Sequence, residues 1–318
     1  MNAYSKMTDN EKYRLVTRAD FDGIVSGALL MEIGMISEIA FAEPNDIQNG
    51  LFKVASKDIT TNLPYAEGVH LCLDHHTSEI ERVGEQRNHI INPNAPSAAR
   101  VVYEYFGGKN RFTEISDELM NAVDRADSAD YSEADILAPE GWTLLNFLLD
   151  PRTGIARFEK KPGSHEDFAK DMMLYLRHHP IEEILAIPDV QGRVHFYFEQ
   201  EEKFEFQLRS NSFLHGEVLV LDLRDEEVVY AGNRFTVYAL YPECTLSIQL
   251  SNTASPEKIT VAMGKSILNK SNNTDIGSLM LEFGGGGHRN AGTCQIASNE
   301  IEALLPEIVE RVGGNFLQ

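Results

Sequence analysis

The sequence predicts an α/β protein whose N-terminal part is a mostly parallel sheet with helices on both faces. A smaller C-terminal α+β domain is expected to follow it. Short apolar runs alternate with helical segments through the first half, which is typical of parallel sheets. Four strand-like segments follow one another between residues 217 and 263, which indicates a separate α+β domain. Finally, a chain of 318 residues is longer than one ordinary hydrophobic core accommodates, which favours two domains.

The first half opens as a βαβ unit. Residues 13–17 form a short apolar run, 18–23 an acidic turn and 24–33 an apolar helical stretch, and this order of elements begins such a unit. Further strands are predicted over residues 36–42, 69–73 and 89–91, with a loop at 44–50. Helices are predicted over residues 98–106, 115–126, 142–149 and 168–178.

The segment that joins the two halves has a mixed pattern. Its phenylalanines, from Phe196 to Phe206, have strand spacing, but the charged and amide residues around them favour a helix. We predict a helix that links two domains. The boundaries are then residues 1–188 for the first domain, 189–215 for the linker helix and 216–318 for the second domain.

The second domain is predicted to contain strands and two helices. The strands are expected over residues 217–223, 234–240, 244–250, 258–263 and 293–297. The helices are expected over residues 275–283 and 301–312, the second with Asn299 as its cap.

Composition limits the classes of function. The formal net charge of −21 disfavours a protein that coats long nucleic acid, because such binding depends on neutralising phosphates. It leaves room for a small phosphorylated ligand in a locally basic pocket. No apolar run approaches the roughly 20 residues of a membrane span, and the first dozen residues are polar, so we expect a cytoplasmic protein without a membrane partner. Cys72, Cys244 and Cys294 are expected to be reduced core thiols.

Carboxylates and imidazoles follow two of the predicted strands. Asp20 and Asp22 follow the first strand, and Asp74, His75 and His76 end a later one. The carboxyl ends of strands in open α/β sheets are where ligands bind. A mixed set of this kind suits Mn²⁺, Fe²⁺ or Zn²⁺ better than Mg²⁺ or Ca²⁺. Taken alone, the aspartates fit an acidic turn before a helix, but the adjacent histidines have no packing use at a strand end.

Three other histidines carry no such signal. His89, His178 and His179 have no ligand-type neighbours in the sequence, and we expect them to be solvated.

A glycine-rich segment marks a second candidate site. Four consecutive glycines at 284–287 are followed by His288 and Arg289. Backbone N–H groups in such a segment can approach and bind an anion, and the two side chains add donors suited to phosphate. Lys265 and Ser266 follow a predicted strand and would add a cation and a hydroxyl.

These motifs together resemble the DHH phosphoesterase superfamily. The resemblance rests on RADFDG at 18–23, DHH at 74–76, DRADSADY at 124–131, GKS at 264–266 and GGGGHRNAG at 284–292. The chain is similar to the two-domain group with a DHH-associated C-terminal domain, which contains RecJ-type exonucleases, nanoRNases and exopolyphosphatase-related proteins. The motifs occur in the family's order and span nearly the whole chain.

The resemblance implies a two-metal, usually Mn²⁺-dependent hydrolase that binds nucleic acid fragments or similar phosphorylated ligands. The first domain would hold the metals, and the smaller second domain would hold the substrate across a cleft. Asp20, Asp22, His75 and Asp127 match the metal ligands, with Asp124 as the alternative to Asp127. His76 would face the attacked phosphate or orient the water, and Asp74 would brace the imidazoles. The residues implied to hold the distal phosphate of the substrate are Lys265, Ser266, Gly285, Gly286, His288 and Arg289.

Two positions depart from the family's pattern. Arg18 stands where the first motif normally begins with a ligand, and Asn62 stands where the second motif supplies a bridging aspartate. An arginine cannot coordinate a cation and an amide oxygen bridges poorly. We therefore predict one well-formed Mn²⁺ site, with Asp20 near it, and a second site that is weakened or absent. Arg18 would supply the missing positive charge and grip a phosphate, which makes it a catalytic candidate.

The favoured function is metal-dependent hydrolysis of a phosphodiester or phosphoanhydride bond in a small phosphorylated substrate. Candidates are a short single-stranded oligonucleotide, a phosphoadenosine phosphate, a dinucleotide or polyphosphate. The alternative is a catalytically weakened phosphate-ligand-binding or regulatory protein, because Arg18 and Asn62 replace ligands. An exonuclease of long single strands is disfavoured by the charge, and no duplex DNA partner is expected. A homodimer would be unsurprising in this family.

Overall fold

The computed structural model describes residues 11–158, 164–253 and 255–315. The chain forms two compact units. The first unit runs to Asp130 and continues over Pro139–His195, and the second consists of Tyr131–Ala138 and the chain from Phe196 onward. Among the described residues, no helix is long and apolar enough to cross a membrane.

The described chain contains helices of five to 24 residues. In chain order they are α1 (Phe21–Glu32), α2 (Pro44–Gln48), α3 (Thr77–Val83), α4 (Ala98–Tyr105), α5 (Asp117–Asp127), α6 (Glu133–Leu137), α7 (Gly141–Leu149), α8 (Ser164–Tyr175), α9 (Ile181–Leu185), α10 (Pro188–Asn211), α11 (Thr236–Leu240), α12 (Ile276–Glu282) and α13 (Ile301–Arg311).

The first unit contains a parallel five-stranded sheet flanked by helices. Its strands are β1 (Tyr13–Thr17), β2 (Ile36–Phe41), β3 (Asp58–Thr61), β4 (Leu71–Asp74) and β5 (His89–Ile91), in the spatial order β2-β1-β3-β4-β5. The chain passes from β1 to β2 on one side and then to β3 on the other. The strand order therefore reverses between β1 and β3, and such switch points are where open α/β sheets bind ligands.

Two buried threonines join the strands at this switch point. The Thr17 hydroxyl donates to the Thr61 carbonyl at 3.0 Å, and the Thr61 hydroxyl donates to that of Thr17 at 2.8 Å. Both residues end their strands and are fully buried. Because buried hydroxyls need such partners, the pair fixes the turns after β1 and β3 side by side.

The helix α1 is buried along most of its length. Every residue from Phe21 to Leu30 is buried, because the helix packs against α4, α5 and α8. Gly27 permits the contact with α8, since a Cβ atom there would lie 2.5 Å from the Met173 sulfur. The N-terminus of α1, which carries the first acidic motif, therefore has a fixed position in the unit.

The second unit contains a mixed six-stranded sheet. Its strands are β6 (Ser212–His215), β7 (Val218–Asp222), β8 (Leu246–Asn252), β9 (Lys258–Lys265), β10 (Gly286–His288) and β11 (Ala291–Ala297), in the spatial order β10-β11-β9-β8-β7-β6. Only the β7–β8 pair among these described strands is parallel. The alternating side chains of β8 and β9 pack with α12 and α13 into one buried apolar cluster.

The α/β fold class is confirmed, and the expected helix after residue 188 is present as α10. Four local predictions are wrong. Strand β3 was not predicted, since most of its residues are polar; they are buried because Asp58 binds Arg14 and Thr61 binds Thr17. Residues 44–48 form α2 rather than a loop, and 236–240 form α11 rather than a strand. The predicted linker helix ends at Asn211, and 212–215 form β6, paired with β7.

The expectations for cysteines and isolated histidines have different outcomes. The three cysteines are free and buried, as predicted. His89, however, is only 7% exposed and stacks on Tyr65 with ring centroids 5.3 Å apart. His178 and His179 are exposed, as predicted, and lie near Glu32 and Glu183. The N-cap residue of helix α13 is Glu300, not the predicted Asn299, and its side chain makes no capping hydrogen bond.

Candidate active site

Asp22 is the most buried carboxylate of the first motif. It lies in the first turn of α1 and is 3% exposed. The backbone N–H groups of Ala98 and Ala99 donate to its two oxygens at 2.9 and 2.7 Å. These donors begin α4, so the carboxylate lies at a helix N-terminus, where negative charge is favoured. Each oxygen keeps a further lone pair for a ligand.

His75 follows strand β4 and has a defined tautomer. Its Nδ1 lies 3.1 Å from the Ala95 carbonyl oxygen, which can only accept, so Nδ1 carries the proton. Its Nε2 lies 3.0 Å from an oxygen of Asp127, at ion-pair distance but without hydrogen-bond alignment. In the neutral ring, Nε2 therefore presents a lone pair, which is the arrangement of a metal-binding histidine.

Asp127 ends α5 and faces His75. One oxygen of Asp127, one of Asp22 and a ring nitrogen of His75 all lie within 4.8 Å of one another. Asp124, the alternative in the same motif, is committed elsewhere: it accepts from Ser97 Oγ at 2.7 Å and from Arg100 Nε at 2.9 Å. The structure therefore brings Asp127, and not Asp124, to the other two residues.

The Asp22–His75–Asp127 cluster fits a divalent cation. His75 Nε2 is buried and lies 3.0 Å from an Asp127 oxygen, so that one cation could take both groups as ligands. Two carboxylates and one imidazole suit Mn²⁺, Fe²⁺ or Zn²⁺. A three-residue set also leaves coordination positions for water or substrate, as in catalytic sites.

The charges in this cluster perturb one another. Burial, together with the negative charge of Asp127, raises the pKa of Asp22 to about 8. Burial lowers the pKa of His75, but the contact with Asp127 and the charge of Asp22 outweigh it and raise the pKa to about 9. Perturbed pKa values of this kind cluster at functional sites.

Asp74 and His76 form a second pair beside this cluster. Asp74 ends β4, is 1% exposed and lies with Oδ1 2.7 Å from His76 Nδ1. Its other oxygen is buried without a hydrogen-bond partner in the described chain. The rings of His75 and His76 are 4.5 Å apart, and Asp74, His75 and His76 form a further set of close ligand-type atoms. Because Asp74 orients His76, the ring faces the site in one orientation.

Arg18, Asp20 and Asn62 form a network at the switch point. Arg18 Nη1 lies 2.9 Å from Asp20 Oδ2, and Asn62 Nδ2 donates to Asp20 Oδ1 at 3.1 Å. Gly23 also donates to Oδ1, which makes Asp20 the N-cap of α1. The two clusters of metal-ligand side chains that the described residues form do not include Asp20. The predicted ligand Asp20 therefore binds protein donors.

Arg152 is a charged neighbour that the sequence did not reveal. It follows α7, and its Nε lies 2.7 Å from Asp150. Asp150, Asp20 and Asp127 all favour its charged form and raise its pKa, against the effect of burial. A single arginine after a helix carries no motif, so only the folded chain shows that it faces the acidic cluster.

The glycine-rich segment of the second unit is a β-hairpin. Gly286 to His288 form β10, which pairs with β11; this short strand was not predicted. A Cβ atom at Gly285 would lie 2.1 Å from the Thr293 carbonyl oxygen, whereas one at Gly286 would meet nothing within 4 Å of the described chain. Part of the glycine pattern therefore serves close packing. His288 and Arg289 lie exposed at the tip.

Lys265 and Arg289 place two cations near each other in this unit. Burial and the charge of Arg289 lower the pKa of Lys265, and Asp275 acts in the opposite direction. Two neighbouring cations of this kind favour an anionic ligand. Ser266, by contrast, is 3% exposed, and its hydroxyl accepts from the N–H groups of Leu268 and Asn269. Its predicted role in substrate binding stays a prediction.

One solved structure is similar to this chain over almost its whole length. The pGpG-specific phosphodiesterase PggH from Vibrio cholerae is 44% identical, and the match covers 94% of this chain and 98% of that one with a TM-score of 0.81. The chain therefore belongs to the family of this phosphodiesterase.

Two other structures match with much lower scores. An uncharacterized protein from Helicobacter pylori is 14% identical, covered over 95% of this chain and 99% of that one, with a TM-score of 0.28. CDC45 from Entamoeba histolytica is 8% identical, covered over 96% of both chains, with a TM-score of 0.47. These two likenesses support no conclusion. No protein-family model and no curated protein matches the chain.

The structure of this chain shows which of the predicted site residues lie close together. Asp22, His75 and Asp127 come together, with Asp74 and His76 beside them. Asp20 and Arg18 bind each other. Their roles as ligands and catalytic groups stay predictions.

Proposed function

We propose that this protein is a metal-dependent phosphodiesterase of the DHH type that hydrolyses a linear dinucleotide of the pGpG class. The observation that carries the proposal is the Asp22–His75–Asp127 cluster at the carboxyl ends of parallel strands. It is supported by a relative, 44% identical, that is a pGpG-specific phosphodiesterase. In the proposed reaction, water adds to the bridging phosphorus, the P–O3′ bond breaks and two mononucleotides leave.

The metal would be Mn²⁺ or a similar divalent ion held by Asp22, His75 and Asp127. When bound, such an ion lowers the pKa of a bound water and offsets charge on the phosphoryl oxygens. The chain supplies rigidity: two backbone N–H groups fix Asp22, and the Ala95 carbonyl fixes the His75 tautomer. Preorganised ligands of this kind need no rearrangement during the reaction.

His76 is the proposed contact to the reacting phosphate. Burial lowers its pKa, but the bond to Asp74 and the charge of Asp74 outweigh it, so the pKa is raised. A protonated imidazole can donate to a phosphoryl oxygen or to the leaving O3′ atom. Asp74 keeps the ring in place through its 2.7 Å bond.

Lys265 and Arg289 are proposed to bind an anionic group of the substrate, with His288 and the neighbouring glycines as further contacts. These two cations belong to a chain whose net charge is −21. Binding of long nucleic acid requires many neutralised phosphates, whereas a dinucleotide carries only two or three phosphate groups. The charge pattern therefore supports a small substrate over a long strand.

The second candidate is a phosphate-ligand-binding protein with little turnover. It is favoured by Arg18 and Asn62, which engage Asp20 and so remove one carboxylate from metal binding. The two candidates differ in turnover, not in ligand, so a binding measurement alone does not separate them.

The test is turnover by metal-stripped protein reconstituted with Mn²⁺. The panel contains pGpG, another linear dinucleotide, 3′-phosphoadenosine 5′-phosphate and polyphosphate, with products separated by chromatography. We expect pGpG to give GMP only with metal, and His75→Ala to lose about a thousandfold or more in rate. The control is His178→Ala, which removes a half-exposed histidine elsewhere on the unit.

Two results would contradict the proposal. Tight binding of pGpG without turnover would favour the binding protein. Equal activity in His75→Ala and the unaltered protein would mean that this cluster is not the source of hydrolysis.

A further inference from the structure

The network of Arg18, Asp20 and Asn62 occupies the turn after β1 and the turn after β3. Hydrolytic phosphate sites often hold two metal ions about 3.5–4 Å apart, which clamp the attacking and leaving oxygens. Asp74 adjoins His75, but its Oδ1 and His76 Nδ1 are already bonded to each other. Asp20 is the next carboxylate in sequence to the Asp22–His75–Asp127 cluster that remains for a second ion. Its charge acts on Asp22, so it lies within electrostatic range of that cluster.

Both oxygens of Asp20 already have protein partners. Oδ2 binds the Arg18 guanidinium at 2.9 Å, and Oδ1 accepts from Gly23 and Asn62, each at 3.1 Å. Asp20 is only 7% exposed. A cation bound to the remaining lone pair of Asp20 Oδ2 would lie beside a guanidinium that carries the same sign of charge, and like charges oppose each other. The residues at this turn therefore do not fit a second metal ion.

Asn62 adopts a left-handed backbone conformation where it makes this contact. Its φ angle is 54°, and it is one of two non-glycine residues with positive φ in the described chain. Asparagine tolerates this conformation better than most other non-glycine residues. The following turn is clamped, since Glu79 accepts from the Tyr65 N–H at 2.8 Å and Arg82 donates to the Tyr65 carbonyl at 2.6 Å. The fold thus aims the Asn62 amide at Asp20.

Arg18 retains donors for a ligand. Its Nε is buried and has no hydrogen-bond partner among the described residues; the Glu43 carboxylate lies 4.0 Å from it and is largely exposed. The Arg18 side chain is 23% exposed, so part of the guanidinium meets solvent. A planar guanidinium with one donor on Asp20 and others unused can bind a phosphoryl oxygen.

We propose that Arg18, held by Asp20 and Asn62, supplies the second positive charge of the phosphate site, which therefore works with one metal ion per chain. The inference rests on the proposed function in assuming a phosphorylated ligand, but not in assuming turnover. A plain structural ion pair would explain the Arg18–Asp20 contact. It would not explain the unpartnered Nε of Arg18 or the Asn62 amide that binds the other oxygen of Asp20.

The first experiment measures Mn²⁺ stoichiometry by equilibrium dialysis and elemental analysis on the full chain. We expect one Mn²⁺ per chain, and still one in Arg18→Ala. The double variant Arg18→His/Asn62→Asp replaces the guanidinium and the amide by metal-binding groups beside Asp20, and we expect it to bind two. A value of two for the unaltered protein would overturn the proposal.

The second experiment measures binding of inorganic phosphate and of a phosphorothioate-linked pGpG analogue to the Mn²⁺-loaded protein by calorimetry. Loss of a charged hydrogen-bonding group should weaken binding about ten- to hundredfold in Arg18→Ala. Arg177→Ala is the matched control, because Arg177 is also ion-paired, to Glu32 at 2.8 Å, and is 21% exposed against 23% for Arg18. We expect the control to bind as the unaltered protein does.

Unchanged affinity in Arg18→Ala would overturn the proposal. If that variant does not fold, Arg18→Lys keeps the charge and should bind phosphate with intermediate affinity; affinity equal to that of the unaltered protein would contradict a role for the guanidinium fork. Failure to hydrolyse any dinucleotide, with one Mn²⁺ and Arg18-dependent binding retained, would reject the proposed function and leave this inference standing.

Discussion

In the first unit the charged groups are buried at the ends of parallel strands, whereas in the second they lie exposed on an antiparallel hairpin. Asp22 is 3% exposed and Asp74 is 1% exposed. Arg289, by contrast, lies at an open hairpin tip. Burial strengthens electrostatic interactions and makes unpaired groups costly. Substitutions in the first region should therefore alter the chemical step, whereas substitutions in the second should alter ligand affinity in a salt-dependent way.

The largest effect is expected for Asp22→Asn. Both carboxylate oxygens accept hydrogen bonds from backbone N–H groups. In the asparagine, the side-chain NH₂ group would face one of these N–H groups, and the negative charge would be lost. We expect kcat/KM to fall about a thousandfold or more, together with Mn²⁺ affinity. The measurements are steady-state kinetics and metal titration.

Asp117→Asn is the control, since that aspartate lies exposed at the other end of α5 from Asp127. If Asp22→Asn retained both Mn²⁺ affinity and rate, the buried region would have no special chemical role.

A pair of glycine variants separates packing from ligand binding in the hairpin. A Cβ atom at Gly285 would lie 2.1 Å from a backbone oxygen and 2.5 Å from Cys294 Cβ, whereas Gly286 has open space. We expect Gly285→Ala to lower the free energy of unfolding by about 1–3 kcal/mol, measured by denaturant titration. Gly286→Ala should change it by less than about 0.5 kcal/mol. Equal stability of the two variants would show that the hairpin is not packed as described.

Asp74→Asn tests the orientation of His76. The carboxylate oxygen that lies 2.7 Å from His76 Nδ1 would become an amide, and such supporting contacts are worth about ten- to hundredfold. We expect kcat to fall in this range with little change in KM. Asp58→Asn is the matched control, because Asp58 is 2% exposed at the opposite end of the sheet and binds Arg14. It should lower stability and leave kcat unchanged; the reverse result would contradict the assignment.

The smallest effect is expected for Lys265→Ala. Its cation lies near Arg289 and is only partly buried, so salt should screen its attraction for an anion. We expect KM to rise about tenfold or less at low salt, with kcat nearly constant, and the difference to shrink as ionic strength rises. Lys258→Ala, at the opposite end of β9, is the control. A salt-independent fall in kcat would place Lys265 in the chemistry instead.

Much of the architecture could be predicted from local pattern. Strands β1, β2, β4 and β5, the helix α10 and the strands β8, β9 and β11 all follow from apolar runs, alternation or composition. Strand β3 could not be predicted in this way, because its threonines and aspartate are polar and become buried only through the pairing of β3 with β1. Residues 236–240 have strand-forming side chains, yet form α11, where Tyr238 binds Ser247 and the Gly264 carbonyl.

The site divides in the same way. The local pattern predicts the ligand types and their places at strand ends, because carboxylate and imidazole motifs directly follow apolar runs. Which of these groups meet depends on the tertiary structure. Arg100 and Ser97 bind Asp124, whereas Asp127 lies against His75. Arg18 and Asn62 bind Asp20. These partners come from distant segments, and their distances are set by sheet register and helix packing, which no local pattern encodes.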